Sequence, residues 1–294
     1  MKLRLERVLS PMLGLLLFLQ AGILVTGGIV RLTSSGLGCP TWPRCTENSI
    51  NPEPDQIEGQ FHAWIEFGNR LITIVLVFIA LACLLAVVIL KRRDIRALAI
   101  GQVAGIFAQI PLGGITVLTH LNPFSVAAHF LLSVILIAAA TTLFDRRAGG
   151  GIRLPELDLS LRAAIKWTVA LTALVIIFGT GVTGTGPHAG DSSAPRFQIQ
   201  IQTITWIHAS LVIALLAAVA YILFTARENQ LVRQRVLVFS GLVLVQGLIG
   251  VIQFNQGFPE LLVGSHLLGV TLVWISAWRI NLLTFRKPSI RKGK

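Results

Sequence analysis

A chain of 294 residues with 54% hydrophobic and 13% charged side chains and a mean hydropathy of +0.76 is not an ordinary soluble domain, in which about 25% of residues are charged. The composition is that of a polytopic membrane protein, and the length leaves little for a separate soluble domain. Twenty-five Lys and Arg against 13 Asp and Glu give a formal charge of +12, which suits either a nucleic acid or basic loops beside a membrane, and position decides between them.

In chain order, apolar runs at 10–30, 62–90, 97–118, 125–144, 163–183, 201–225, 236–254 and 261–284 are each long enough to cross a bilayer as a helix, which takes about 20 residues. The first run follows Lys2, Arg4 and Arg7 as a signal peptide would, but it has no small-residue cleavage site and reads as a span. With the N-terminus inside, 21 of the 25 basic residues fall in cytoplasmic segments, leaving Arg31, Arg44, Arg70 and Arg196 outside. The positive-inside rule then places both termini in the cytoplasm of a multi-pass cell-membrane protein. Basic residues spread over short loops at alternate helix ends do not form a nucleic-acid face.

Gln109-Ile-Pro-Leu-Gly113-Gly-Ile115 resembles Gln246-Gly-Leu-Ile-Gly250-Val-Ile252, and His129 and His266 each follow their glutamine by 20 residues. In the preceding helices Trp64-Ile-Glu66 echoes Trp206-Ile-His208, while an offset of 139 pairs Asn69 with His208 instead. The expected fold is therefore all-α, with eight transmembrane helices as two pseudo-symmetric four-helix bundles, residues 1–144 and 163–294. A linker at 145–162 joins them, flexible at Gly149-Gly-Gly151.

An ionisable residue inside a span costs about 3 kcal/mol on insertion scales and marks a functional candidate. Glu66 is the one acidic residue well inside a run, and His62, Glu66, Asn69 and Arg70 share one helical face. His129, His208 and His266 each enter a span that descends from the outside, at similar depth. Facing helices can present two such imidazoles to a haem iron, as His208 and His266 would; the first half offers His129 opposite Asn69 or His62. The plainer alternatives are a histidine that bonds a neighbouring helix and a Glu66–Arg70 pair that is merely an i,i+4 ion pair. His120 and His188 fall in outer loops and read as surface residues. Cys39 and Cys45, separated by a five-residue spacer with two prolines in the first outer loop, predict a disulfide with a structural or redox role. A metal pair would want two more thiols. Cys83, mid-span, reads as a small apolar residue.

Taken together, Gly27-Gly-Ile-Val-Arg31-Leu-Thr-Ser-Ser-Gly36-Leu-Gly-Cys39 through Cys45, Glu66-Phe-Gly-Asn69-Arg70, His129, Gly184-Thr-Gly-Pro187-His188, His208 and His266 resemble the haem A synthase family in its cysteine-containing bacterial form, over nearly the whole chain. The resemblance implies oxidation of a haem O methyl group to a formyl group, giving haem A for haem-copper terminal oxidases. It implies Glu66 as the catalytic acid of span 2, haem b on His208 and His266, and the substrate haem O near His129, with His62, Asn69 and Arg70 on the substrate side. It also implies a Cys39–Cys45 disulfide, haem O synthase as an upstream partner and an electron acceptor. The family commonly reads Glu-x-x-His-Arg where this chain has Asn69, which puts a second histidine on the substrate in doubt. A di-haem b-type electron-transfer protein is the competing reading, and it gives no reason for Glu66. A transporter and a prenyltransferase fit less well: the polar residues avoid the midplane, and paired aspartate-rich motifs are absent.

Overall fold

The computed structural model describes residues 2–148 and 157–285, so the expected Gly149–Gly151 hinge lies outside the described residues. Eight helices follow one another: α1 Lys2–Leu32, α2 Gln60–Ile89, α3 Arg93–Leu118, α4 Pro123–Asp145, α5 Leu159–Thr185, α6 Ile201–Thr225, α7 Gln230–Asn255 and α8 Glu260–Asn281, with a 3-10 turn at Leu282–Thr284. All eight are long and apolar enough to cross a membrane. Several overrun the apolar stretches: α1 reaches back to Lys2 and α7 to Gln230. Exposed basic side chains such as Arg7 and Arg233 can extend their stems along a helix end while keeping the charge in water, whereas Arg235 faces Asp145 and the Arg279 carbonyl.

Local chemistry sets the helix starts. Asn122 caps α4 by accepting the Phe124 N–H, with Pro123 in the first turn; Asp158 caps α5 through the Leu161 N–H and Asn229 caps α7 through the Val232 N–H. The α3–α4 connection turns through left-handed His120 and Leu121, and the α7–α8 connection turns through left-handed Gly257 and Phe258. Leu121 N–H donates to Thr116 C=O at 2.8 Å and Phe258 N–H to Gln253 C=O at 2.7 Å. Each residue of the second turn lies 137 positions after its counterpart.

Within the first four helices each packs on its chain neighbours and α1 closes on α4; within the last four, α5 closes on α8. The two sets meet along α1, α4, α5 and α8. There Trp274 Nε1 donates to Val134 C=O at 2.7 Å and Trp278 Nε1 to Thr142 Oγ1 at 2.8 Å. One apolar core joins Leu9, Leu13, Leu16, Cys83, Ile95 and Leu143; another joins Ile165, Leu215, Ile222, Val236, Phe239 and Ile280. Both lie toward the end that carries the N-terminus and the α4–α5 link. The half nearer the α1–α2, α3–α4, α5–α6 and α7–α8 loops, here the loop end, holds Glu66, His129, His208 and His266.

Candidate functional site

At the loop end of α2, Glu66 is 6% exposed. Its Oε1 accepts from Arg70 Nη2 at 2.6 Å and Nε at 3.2 Å, and its Oε2 accepts the backbone N–H of Cys39 at 2.7 Å. Arg70 in turn donates to the carbonyls of Cys39 at 3.0 Å, Thr41 at 3.2 Å and Arg44 at 3.1 Å. The i,i+4 ion pair expected as the plainer reading is present, but the pair also ties a loop: Cys39 and Cys45 are disulfide-bonded, and residues 39–44 wrap the guanidinium. Arginine suits this task because its planar fork offers five N–H donors. Trp42 of the same loop lies against Gly114 of α3, where a Cβ would crowd its ring. His62, about one turn nearer the loop end than Glu66, is bonded through Nδ1 to Ser35 Oγ at 2.9 Å.

The three span histidines share one local arrangement, in which each imidazole lies on a glycine of the adjacent helix. A Cβ on Gly113 of α3 would stand 3.2 Å from His129 Cε1. On Gly179 of α5 it would stand 3.3 Å from His208 Cε1, and on Gly250 of α7, 3.5 Å from His266 Cε1. His208 Nδ1 is hydrogen-bonded to Val175 C=O at 3.0 Å, which leaves the proton there and Nε2 as the basic nitrogen. The buried Nδ1 atoms of His129 and His266 have no protein partner among the described residues. Gln109 fixes the turn below His129 by donating to His129 C=O at 3.1 Å and Ser133 Oγ at 2.7 Å.

His129, His208 and His266 lie six or seven residues below the loop-end start of their helices, or about 9–11 Å at 1.5 Å per residue. Helix α6 stands across the second set from α8, and α2 across the first set from α4, each pair separated by the helices packed between them. Half-buried imidazoles that rest on glycines and whose Nε2 atoms have no hydrogen-bond partner among the described residues fit a haem as a group that ligates through histidine. Residues His208 and His266 would hold one such group, and His129 another.

Asn69 is bonded not to the loop but to α1, its Oδ1 lying 2.7 Å from Thr26 Oγ1. Trp64 and Trp206 are both exposed, so their echo reflects outward faces, and the contacts of Asn69 match those of His208 instead. Thr205 stands 139 residues after Glu66, so the last four helices have no carboxylate at that place. His120 is exposed as expected, but His188 is not a free surface residue. Its Nε2 is bonded to Phe258 C=O at 2.7 Å, and its own carbonyl accepts from Arg31 Nη2 at 2.8 Å. Cys83 is buried in the first core, as its apolar reading requires. Sequence reasoning missed the glycine seats, Ser35, Thr26 and Trp42; the repeated Gln-x-x-x-Gly at Gln109–Gly113 and Gln246–Gly250 carried the signal for two of the glycines.

Fold and site together define a multi-pass membrane protein that gathers histidines and a buried carboxylate in one half of its helices. Residues 11–277 match the cytochrome oxidase assembly protein family, COX15-CtaA, and the chain belongs to that family. Among curated relatives, the heme A synthase of Geobacillus kaustophilus is 32% identical over 111 residues, covering 36% of this chain and 32% of the relative. That of Exiguobacterium sp. is 24% identical over 233 residues, 76% of each chain. That of Shewanella oneidensis is 25% identical over 322 aligned positions, 91% of this chain and 94% of the relative. The match to the relatives of highest identity spans about a third of their length.

Proposed function

We infer that this chain is a haem A synthase, which oxidises a ring methyl group of haem O to the formyl group of haem A. The observation that carries this reading is the buried Glu66 carboxylate, held by Arg70 and Cys39 N–H in the same half of the helices as His129 and His266, whose imidazoles have no protein partner among the described residues. An electron carrier has use for the histidines and none for the carboxylate. The relatives named as heme A synthase, two of them matched over most of both chains, support the same reading.

In this reading residues 1–144 form the substrate half and residues 163–294 the haem b half, a pseudo-symmetric pair joined through 145–162. Both termini face the cytoplasm at the cell membrane, and the disulfide loop faces outward. His208 and His266 would hold haem b, which when bound would supply one-electron redox chemistry. His129 holds the substrate haem O. Turning a methyl group into a formyl group withdraws four electrons and adds one oxygen, so protons must leave and an electron acceptor must be present. Glu66 accepts a proton at its carboxylate. It takes three hydrogen bonds from Arg70 and Cys39, and a carboxylate has about four lone-pair sites, so room for a further donor remains. Arg70 keeps the carboxylate oriented, and the loop around it limits water. Haem O synthase is the upstream partner that delivers the substrate.

Glu66→Gln keeps the size of the side chain and removes the base. With haem O supplied, this variant is expected to bind haem at wild-type stoichiometry and form no haem A. Haem A formation at the wild-type level would overturn the role of Glu66.

A further inference from the structure

Four places in the loop-end half are related by their contacts, and one of them differs. His129 on Gly113 and His266 on Gly250 correspond at an offset of 137. His208 lies on Gly179 and is bonded to Val175 C=O. Asn69 stands in the same relation to α1. A Cβ on Gly27 would face its Nδ2 at 3.9 Å, and its Oδ1 accepts from the Thr26 hydroxyl at 2.7 Å, which itself lies 3.2 Å from Ile23 O. Gly27 and Ile23 precede Gly179 and Val175 by the same 152 residues, and Asn69 precedes His208 by 139. The fourth place therefore holds a carboxamide beside a hydroxyl where its counterpart holds an imidazole.

A carboxamide is not among the side chains that ordinarily ligate haem iron, which are His, Met, Cys and Tyr. The Thr26 hydroxyl has one proton, and the closer acceptor is Asn69 Oδ1. This leaves the Asn69 NH₂ as a donor without a protein partner among the described residues. His62 does not take over the place: it lies seven residues, about 10 Å, nearer the loop end than Asn69.

We propose that the substrate haem is held through its iron by His129 alone, with the opposite axial position open beside the Asn69 amide, where water or another small donor-accepting ligand binds. The second site, with His208 and His266, is closed on both faces. This rests on the haem A synthase reading and specifies the coordination of its substrate.

The test uses the full-length protein, purified in detergent after expression with haem O supplied, and reads the absorption of the reduced protein with and without carbon monoxide. Haem identity is measured by extraction from the same sample. Carbon monoxide is expected to shift the band of about one haem per chain and leave the other unchanged. Asn69→His is expected to turn that haem low-spin and weaken carbon monoxide binding at least tenfold. Asn69→Leu is expected to keep the carbon monoxide response and lose azide affinity in the oxidised protein, because the hydrogen-bond donor is gone. His129→Ala is expected to lose haem O and keep haem B. A wild-type protein that carries haem O yet is entirely low-spin and inert to carbon monoxide would overturn the open position and leave the proposed function standing. A carbon monoxide response that first appears in His62→Ala would overturn it in favour of His62 as the second ligand. A preparation holding haem B alone would overturn both readings.

Discussion

The backbone N–H of Cys39 donates to Glu66 Oε2 at 2.7 Å, so the first residue of the disulfide loop is bonded to the buried carboxylate of α2. The loop is thereby part of the carboxylate's surroundings as well as a cover. Opening the disulfide by the Cys39→Ser, Cys45→Ser double substitution frees the loop. Closing so short a loop contributes on the order of 2 kcal/mol by the chain-entropy estimate. Thermal unfolding in detergent should fall accordingly, and haem A formed per haem B should drop at least tenfold with haem B content unchanged. A variant with full turnover would separate the loop from Glu66.

Arg70 makes its contacts as a fork, with Glu66 on one side and four loop carbonyls, those of Cys39, Thr41, Pro43 and Arg44, on the other. A lysine keeps the charge and cannot reproduce that geometry. Arg70→Lys should cost about 1–3 kcal/mol of stability from carbonyls left without donors. Turnover should fall with a smaller loss of haem binding, measured as haem A formation beside haem content.

Three glycines seat the imidazoles: a Cβ would already be tight on Gly113 and Gly179 and in contact on Gly250, so the further methyl groups of a valine would press on each ring. Gly250→Val and Gly179→Val should each displace a histidine and abolish haem B binding while haem O is retained. Gly113→Val should do the reverse. Extraction of the haems from each purified variant checks this, and loss of both haems in every variant would point to misfolding instead.

Trp274 crosses from α8 to Val134 C=O on α4 at 2.7 Å, with both residues buried. Trp274→Phe leaves that carbonyl short of its donor, a cost of about 1–3 kcal/mol. The thermal midpoint in detergent should fall and the haem spectrum should not change.

Hydropathy made the eight spans legible because a bilayer demands about 20 apolar residues at a time. Glu66 stood out for the same reason, as the one acid that such a run does not tolerate without cause. The two cysteines were legible from their spacing. The helix ends were less so, since α1 and α7 continue beyond the apolar stretches into charged turns. The wrap of residues 39–44 around Arg70 was hidden because backbone carbonyls are the acceptors, and every sequence has those. The glycine seats were hidden because a residue without a side chain shows its purpose only against the neighbour it admits. The register of Asn69 against His208 became plain once Thr26 and Val175 stood beside them.

The central claim is tested most directly by purifying the wild-type protein after expression with haem O supplied, extracting its haems with acid and separating them with mass detection. Haem A recovered together with haem B and haem O is the predicted result. Haem B alone, with haem O shown to be present in the cells, would contradict the account and favour a membrane electron carrier.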